Sequence, residues 1–133
     1  EKVRRFMVTS PVTVPDDTPV SDLVENYIYH YHHNMLPVVH EGRLAGCVST
    51  ADVRSLPRNE WSRHSVYEVM HPCSLDNTIS PEADAMQALA RMTRTNSSKL
   101  MVVDQDRLVG MITLKDLIKV FSLKMELEDE SRK

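Results

Sequence analysis

The chain has 133 residues, of which 41% are hydrophobic and 26% charged, and a formal net charge of −3. This composition is typical of a globular protein, and the length allows one domain or two small halves that share a core. Acidic and basic residues are interspersed, so the charge pattern indicates neither nucleic-acid binding nor direct contact with a membrane surface.

The cysteines Cys47 and Cys73 form neither a CxxC pair nor a disulfide framework, which is typical of a protein from a reducing compartment. No apolar run approaches the about 20 residues of a membrane span, and no signal peptide is visible. We therefore expect a cytoplasmic location, which includes the cytoplasmic part of a membrane protein. Because the chain begins at Glu1 rather than Met, we also expect it to be part of a larger protein.

The first elements in chain order are a lead-in, a strand and a helix. Residues 1–7 carry apolar side chains that we expect to pack on the other half of the chain. Residues 12–14 predict a short strand, and Thr18 then predicts a helix N-cap with Pro19 at the first helical position. The helix should end near residues 33–34. Its apolar stripe follows α-helical spacing and consists of Val20, Leu23, Val24, Tyr27, Ile28 and Tyr31.

Two strands, at residues 36–39 and 44–48, and a short helix ended by Pro57 complete the first half. A polar linker follows at residues 58–65. Trp61 is the one large apolar side chain of this linker, and it either packs on the small core or faces a partner.

The second half predicts the same series of elements. It opens at residues 66–70, continues with a brief strand at residues 78–79, and ends in a charged tail, residues 126–133, that we expect to fray. Its first helix carries a stripe of mostly small residues: Ala85, Ala88, Leu89 and Met92. Its last helix carries Leu117, Ile118, Phe121 and Met125 at helical spacing.

Residues 100–116 repeat residues 36–52 without a gap, at a constant offset of 64. The matched pairs include Leu36 with Leu100, Gly46 with Gly110, Ser49 with Thr113, and Asp52 with Asp116. The chain is therefore one structural unit built twice, which divides it into residues 1–64 and 65–133. Halves of this size bury too little apolar surface to be stable alone, so we expect them to pack together.

Each repeat places a hydroxyl residue after a strand and an aspartate three positions later, at the start of a helix. Ser49 with Asp52, and Thr113 with Asp116, are variants of the capping box, in which the two side chains satisfy free amides of the first helical turn. The same geometry also suits ligand binding, because a helix N-terminus attracts a phosphate and a carboxylate can accept two ribose hydroxyls. Capping and binding are compatible, and the spacing does not separate them.

The run His30-Tyr31-His32-His33 raises the possibility of a metal site, since His30 and His33 lie one helical turn apart. A zinc site needs three or four ligands, and no acid or cysteine stands at a helpful offset, so we predict no metal binding. The sequence contains no nucleophile elbow, P-loop, HExxH motif or Cys–His pair. We therefore predict no catalytic residue and no required cofactor.

The order of these motifs, together with their duplication, resembles a pair of cystathionine-β-synthase (CBS) domains, the tandem unit called a Bateman module. The matching features are Val3-x-x-x-Met7 and Val66-x-x-x-Met70, the Pro-Val-Thr-Val stretch at residues 11–14, the Leu-Pro-Val-Val stretch at residues 36–39, and two Gly-x-x-Ser/Thr-x-x-Asp segments. The resemblance covers about residues 3–121. It implies an α/β fold of two β-α-β-β-α repeats packed with pseudo-twofold symmetry, with two potential ligand sites in the clefts between the repeats.

The resemblance also implies a function. In this family the hydroxyl and the aspartate of each repeat commonly hold the phosphate and ribose of adenosine-type ligands, which assigns those roles to Ser49, Asp52, Thr113 and Asp116. We therefore expect a regulatory module that binds AMP, ADP, ATP or S-adenosylmethionine and modulates an attached catalytic or transport domain. The alternative is a ligand-free dimerisation or docking domain in which both pairs only cap helices.

Two further expectations concern partners and parent protein. We expect a homodimer formed through helical faces that include the stripe Ala85, Ala88 and Leu89, since small residues allow close helix approach. The stretch from residue 25 to residue 39, and the Leu-Pro-Arg-Asn-Glu-Trp segment after it, are similar to CBS pairs appended to membrane-embedded site-2-type zinc proteases. The attached domain would then be a metalloprotease.

The two repeats differ most at the second helical position, where Ala51 stands in the first and Lys115 in the second. A lysine there opposes the helix dipole, and a bound phosphate would neutralise it. We therefore predict that the second repeat is the better phosphate site and that Lys115 contributes to it. The alternative is that Lys115 points into solvent.

Overall fold

Two antiparallel hairpins form the centres of two separate sheets, and the hairpins have the same register. The computed structural model describes residues 1–131 and divides into two units: Glu1–Ser10 with Ser74–Lys133, and Pro11–Cys73. The strands are β1 (Val14–Pro15), β2 (Met35–His40), β3 (Arg43–Ser49), β4 (His71–Pro72), β5 (Thr78–Ile79), β6 (Lys99–Asp104) and β7 (Arg107–Thr113). The order is β1-β2-β3-β4 in one sheet and β5-β6-β7 in the other.

The helices follow the order that the sequence predicts. They are α1 (Val20–Leu23), which continues as a π-helix over Val24–Tyr29, then α2 (Thr50–Arg54), α3 (Val66–Val69), α4 (Ala85–Thr95) and α5 (Leu114–Ser131). Short 3₁₀ turns lie at Val3–Arg5 and Arg58–Arg63. The predicted class, an α/β fold with two β-α-β-β-α repeats, is therefore confirmed.

Both hairpins are closed by two residues with positive φ, as a type I′ turn requires. Glu41 and Gly42 have φ of 49° and 79°, whereas Gln105 and Asp106 have φ of 50° and 66°. The second turn is thus made without glycine. Each β2–β3 and β6–β7 pair also has a register shift at the same place, between Val38 and Val39 and between Val102 and Val103.

Each unit has its own core, and each is completed by a lead-in segment. In the unit with α4 and α5, Val3 is fully buried, and Phe6 and Met7 pack against the same cluster. In the other unit, Val66 of α3 is fully buried at the equivalent place. The predicted packing of residues 1–7 on the other half is therefore confirmed. The packing units differ from the sequence repeats, because each lead-in belongs to the unit of the other repeat's hairpin.

Four details of the first helix and the tail differ from the sequence predictions. The strand β1 is Val14–Pro15 rather than residues 12–14, and Pro19 is the N-cap rather than the first helical residue. Tyr31, predicted on the apolar stripe, is 43% exposed. The reason is the π-helical stretch, whose wider turn shifts the following side chains off the α-helical stripe. Helix α5 continues to Ser131, so most of the predicted frayed tail is helical; residues 132–133 lie outside the described residues.

The helix face predicted to be free for dimer contact is buried within its own unit. Ala85 and Ala88 are 1% and 0% exposed and belong to the core that contains Val3, and Leu89 packs against that core. Their small size lets α4 lie close to its own sheet rather than to a second subunit. In the Pro11–Cys73 unit, Trp61 packs on the core of its own unit, and its indole N–H donates to the Leu56 carbonyl at 3.3 Å.

Candidate functional site

The Ser49–Asp52 segment is a complete capping box at the start of α2. The Ser49 hydroxyl accepts the Asp52 amide at 3.3 Å, and the Asp52 carboxylate accepts the Ser49 amide at 2.9 Å. The Ser49 hydroxyl also donates to the same carboxylate oxygen, Oδ2, at 3.1 Å. This arrangement confirms the capping prediction for the first repeat, since a hydroxyl residue and an acid three positions apart satisfy the first helical turn.

The Asp52 carboxylate has a further partner that the sequence did not indicate. The Nε2 atom of His71, on the edge strand β4, lies 2.6 Å from Asp52 Oδ1. Asp52 is the buried charged residue of the described core, at 8% exposure, while the His71 side chain is 67% exposed. The imidazole ring therefore lies directly against Oδ1 of the buried carboxylate. Both oxygens of Asp52 are therefore engaged.

The Thr113–Asp116 segment has the same local geometry at the start of α5, but fewer partners. The Thr113 hydroxyl accepts the Asp116 amide at 3.1 Å and donates to Asp116 Oδ2 at 2.8 Å. Asp116 is half-buried. Within residues 1–128, whose side chains the structure describes, Asp116 Oδ1 has no hydrogen-bond or ion-pair partner. The second aspartate thus keeps one oxygen available to a ligand.

The difference between the two aspartates follows from the residue beside each hairpin glycine. A Cβ on Gly46 would overlap the His71 carbonyl oxygen, and a Cβ on Gly110 would lie 2.7 Å from the Val8 carbonyl oxygen. His71 and Val8 are therefore structural counterparts, each following a lead-in and crossing next to a glycine. Valine has no donor, so the second site has no counterpart of the His71–Asp52 contact.

The first amide of each helix is already used by the fold. The Thr50 amide donates to the Asn34 carbonyl at 3.0 Å, and the Leu114 amide donates to the Ser98 carbonyl at 2.8 Å. The amide of the third residue is bonded to the capping hydroxyl in both helices. The second position is the one at which a ligand anion would find an amide, and it is occupied by Ala51 in α2 and Lys115 in α5.

Two lysines lie near Thr113, and the sequence predicted only one of them. Lys115 is exposed on the first turn of α5. Lys99 is the register partner of Thr113 across β6 and β7, so their side chains are on the same face of the sheet. Burial lowers the pKa of the half-buried Lys99 ammonium. Neither ammonium has an anionic partner in the described part of the chain.

Lys99 could have been found from the alignment of the two repeats. Its counterpart at the offset of 64 is Met35, the register partner of Ser49. A change from methionine to lysine beside the capping hydroxyl is the same kind of signal as the change from Ala51 to Lys115. Both changes add positive charge to the second repeat only.

The histidine run and the open clefts of the Pro11–Cys73 unit lie apart from these segments. The His30 ring contacts the Tyr31 ring edge-on, with ring centroids 4.6 Å apart. The His33 ring stacks on the same Tyr31 ring, with centroids 6.2 Å apart. Among residues 1–128, no three His, Cys, Asp or Glu side chains converge in a way that could hold a metal ion. Two clefts of about 530 Å³ involve other residues, with Tyr27 and Tyr31 lining one and Tyr67 the other.

Comparison with known proteins agrees with the duplicated architecture. The family model for the CBS domain matches twice, at residues 3–59 and 66–123. An uncharacterized protein of Methanocaldococcus jannaschii, MJ0188, is 36% identical over 119 residues, which are 89% of this chain and 43% of that protein. The zinc metalloprotease MJ0392 of the same organism is 24% identical over 129 residues, 97% of this chain and 34% of the protease. This chain thus spans less than half the length of these curated relatives.

Among solved structures, the CBS domain pair of protein MJ0100, in complex with 5′-methylthioadenosine and S-adenosyl-L-methionine, has the same fold. It superposes with a TM-score of 0.78 at 24% identity, over 93% of this chain and 98% of that one. In the described part of this chain, no helix is both long and apolar enough to cross a membrane. The two sheets, the two capped helix starts and the double match of the family model lead to one conclusion: the chain belongs to the CBS-domain family, as a tandem pair that is a regulatory rather than a catalytic module.

Proposed function

We propose that this CBS pair senses an adenosine-containing ligand (AMP, ADP, ATP or S-adenosylmethionine) and that the Thr113–Asp116 segment is its tighter site. The observation that carries the proposal is the free oxygen of Asp116 beside two lysines without anionic partners. A carboxylate oxygen accepts ribose hydroxyls, and an unpaired ammonium attracts phosphate. The MJ0100 pair, which has the same fold, was solved with two adenosine-type ligands, which supports this ligand class.

The residues of the second site divide between the ribose and the phosphate of the ligand. Asp116 Oδ1 accepts a ribose hydroxyl, and the Thr113 hydroxyl, already the helix cap, lies at the phosphate end. Lys115 and Lys99 neutralise the phosphate. A partly buried ammonium is costly when unpaired, so an anionic ligand should regain the free energy that burial of Lys99 costs. The long helix α5 adds a positive N-terminal dipole, whereas α2 has only five residues.

Regulation would follow from ligand occupancy. A ligand that binds one arrangement of the pair more tightly than another shifts the population toward that arrangement, and so alters an attached protein. The match to MJ0392 favours a zinc metalloprotease as that protein. The expected measurement is the proteolysis rate of the longer protein with and without saturating AMP, where no difference would reject regulation of the protease.

Calorimetric titration with AMP and with adenosine tests the site. Asp116→Ala should remove the tighter binding event, and Asp52→Ala should leave it. Lys115→Ala and Lys99→Ala should each weaken AMP by about tenfold while sparing adenosine, since a lost charge-assisted contact costs about 1.4 kcal/mol or more. The matched control is Lys119→Ala, which removes an exposed lysine one turn further along α5 and should change neither titration.

Three results would contradict the proposal. One is that Asp52→Ala alone abolishes binding, and another is that Lys115→Ala weakens adenosine and AMP equally. The third is that no adenosyl compound stabilises the wild type, although a ligand at 100 times its dissociation constant should add about 2.7 kcal/mol to the free energy of unfolding. That result would favour the second candidate function, a ligand-free docking domain, which is supported at the first repeat by the partners at both oxygens of Asp52.

A further inference from the structure

We infer that His71 occupies the Asp52 carboxylate in place of a ligand diol, so that the first repeat binds an adenosine ligand only after its own imidazole is displaced. The inference rests on the proposed function and concerns the regulation of the same kind of site. It makes His71 a specificity-determining residue. The observation behind it is the contact between His71 Nε2 and Asp52 Oδ1 at 2.6 Å.

The number of acceptor positions on Asp52 limits what its carboxylate can bind. Oδ2 accepts two hydrogen bonds from Ser49, from its amide and from its hydroxyl, and His71 Nε2 lies 2.6 Å from Oδ1. A carboxylate has about four lone-pair positions, of which Ser49 uses two and the ring beside Oδ1 blocks at least one, so at most one remains. The two hydroxyls of a ribose need two acceptor positions. They cannot both be accepted by Asp52 while the imidazole is in place.

The His71 imidazole can move away from Asp52 while the fold remains intact. The His71 side chain is 67% exposed, although the carboxylate it contacts is 92% buried, so the ring covers the carboxylate from the solvent side. The backbone of His71 is held independently by the pairing of β4 with β3, at Cys47 with His71 and Gly46 with Pro72. Rotation of the ring into water therefore exposes Asp52 without breaking the sheet.

The second repeat has no histidine at the equivalent position beside its aspartate. Val8 takes the position of His71 next to Gly110, and Asp116 keeps an oxygen without a partner among the side chains described, those of residues 1–128. The two repeats thus have the same capping residues but opposite states of the carboxylate. A diol ligand should bind the second repeat directly and the first only in competition with His71. The pair would then respond to two concentration ranges of one ligand.

The reciprocal swap His71→Val and Val8→His tests the inference, because each variant installs the other repeat's residue. In an Asp116→Ala background, which isolates the first site, His71→Val should tighten adenosine binding by about tenfold, as expected for removing one competing charge-assisted contact. In an Asp52→Ala background, Val8→His should weaken adenosine binding at the second site by a similar factor. The ligand 2′,3′-dideoxyadenosine, which lacks the diol, should respond to neither swap.

A measurement on the wild-type protein does not depend on these variants folding. The ¹⁵N signals of the His71 imidazole should shift when adenosine saturates the first site, and should not shift with 2′,3′-dideoxyadenosine. The inference is overturned if the His71 signals do not respond to adenosine, or if folded His71→Val binds adenosine no better than its parent. It is also overturned if His71→Val tightens the binding of adenosine and of 2′,3′-dideoxyadenosine equally. If the wild type still binds adenosine through Asp116 in these cases, the proposed function stands. If neither the wild type nor His71→Val binds adenosine at all, both proposals fail.

Discussion

At the scale of single residues, the two glycines of the first hairpin differ in the space around them. Gly46 lies against the backbone of β4, so that a Cβ would overlap the His71 carbonyl, which belongs to a strand and cannot move aside. Gly42, in the hairpin turn, has open space around it but a φ of 79°. The two positions need glycine for different reasons, one for packing and the other for backbone conformation.

We expect Gly46→Ala to lower the free energy of unfolding by more than 2 kcal/mol, a rough value for forced overpacking against fixed backbone. The matched control, Gly42→Ala, should cost only about 1 kcal/mol, because it introduces strain at positive φ but no overlap. Urea unfolding of both variants gives the comparison. Equal losses at the two positions would contradict the close approach of β3 and β4.

The His40 imidazole offers a pH-dependent test of a surface contact. Its Nδ1 lies 3.0 Å from Asp16 Oδ2, and the hydrogen bond and charge of Asp16 raise the pKa of His40 above 6.5, with smaller effects of the same sign from Glu41 and Asp17. A raised pKa means that the folded state favours the protonated form. The added stability is therefore complete below pH 6.5 and is lost as pH rises through the folded-state pKa.

We expect His40→Gln to flatten the pH dependence of the melting temperature from pH 6.5 upward. Asp16→Asn should flatten it as well, since either variant removes the pair, and the double variant should add nothing further. Thermal melts across this pH range measure the effect. A wild-type melting temperature that rises through the same range relative to His40→Gln would show that the sign is wrong.

At the scale of elements, the lead-ins and the helix ends decide what each unit exposes. The first lead-in is fixed by the burial of Val3 and by ion pairs of Lys2 and Arg4 with Glu82, at 2.8 and 2.7 Å. These cations lower the pKa of the Glu82 carboxyl. The exposed pairs contribute less than the buried valine, because solvent screens them. Burial of Val3 is therefore the main reason that residues 1–10 belong to the unit of α4 and α5.

The end of the first helix places three histidines at the surface beside Tyr31. His32 has a φ of 59°, which ends the helix, and both His30 and His33 contact the Tyr31 ring. We expect the triple variant His30→Gln, His32→Gln and His33→Gln to leave both metal content and adenosine binding unchanged. Elemental analysis of the purified protein and calorimetry measure the two properties. Stoichiometric zinc in the wild type that disappears in the triple variant would contradict this expectation.

At the scale of the whole molecule, the last helix exposes apolar surface that could form a dimer contact. The stripe of small residues that the sequence suggested for this contact is buried. Ala85 and Ala88 are buried, whereas α5 and the start of α4 expose several large apolar side chains: Met86, Ile118, Leu123, Met125 and Leu127. Exposed apolar side chains on one helix are typical of an interaction surface. The expected homodimer thus remains a prediction, with α5 as its proposed contact.

We expect sedimentation to show a dimer at tens of micromolar, roughly the range in which a modest interface associates. Met125→Lys should shift the protein toward monomer, because it places a charge in the apolar contact. Leu75→Lys, at an exposed residue of the same unit outside the helices, is the control and should leave the dimer intact. A monomeric wild type at this concentration would contradict the prediction.

The sequence by itself determined those features that depend on neighbours a few residues apart. The offset of 64 predicted two like hairpins, and the three-residue spacing of Ser49 with Asp52 predicted a capping box, because a helix brings such residues together. The exact path of the first helix was less predictable. Its apolar spacing fits an α-helix up to Tyr31, and that spacing carries no signal for the π-helical stretch at Val24–Tyr29.

Only the tertiary structure decided how the surroundings of the two aspartates differ. His71 lies 19 positions from Asp52 in the sequence, and their contact depends on the pairing of β4 with β3. The placement of Lys99 beside Thr113 likewise depends on the register of β6 and β7. Strand pairing joins residues that are distant along the chain, so no local spacing predicts it. The sequence predicted a better phosphate site in the second repeat, from Lys115, but assigned the same role to both aspartates; the fold made one of them engaged and the other open.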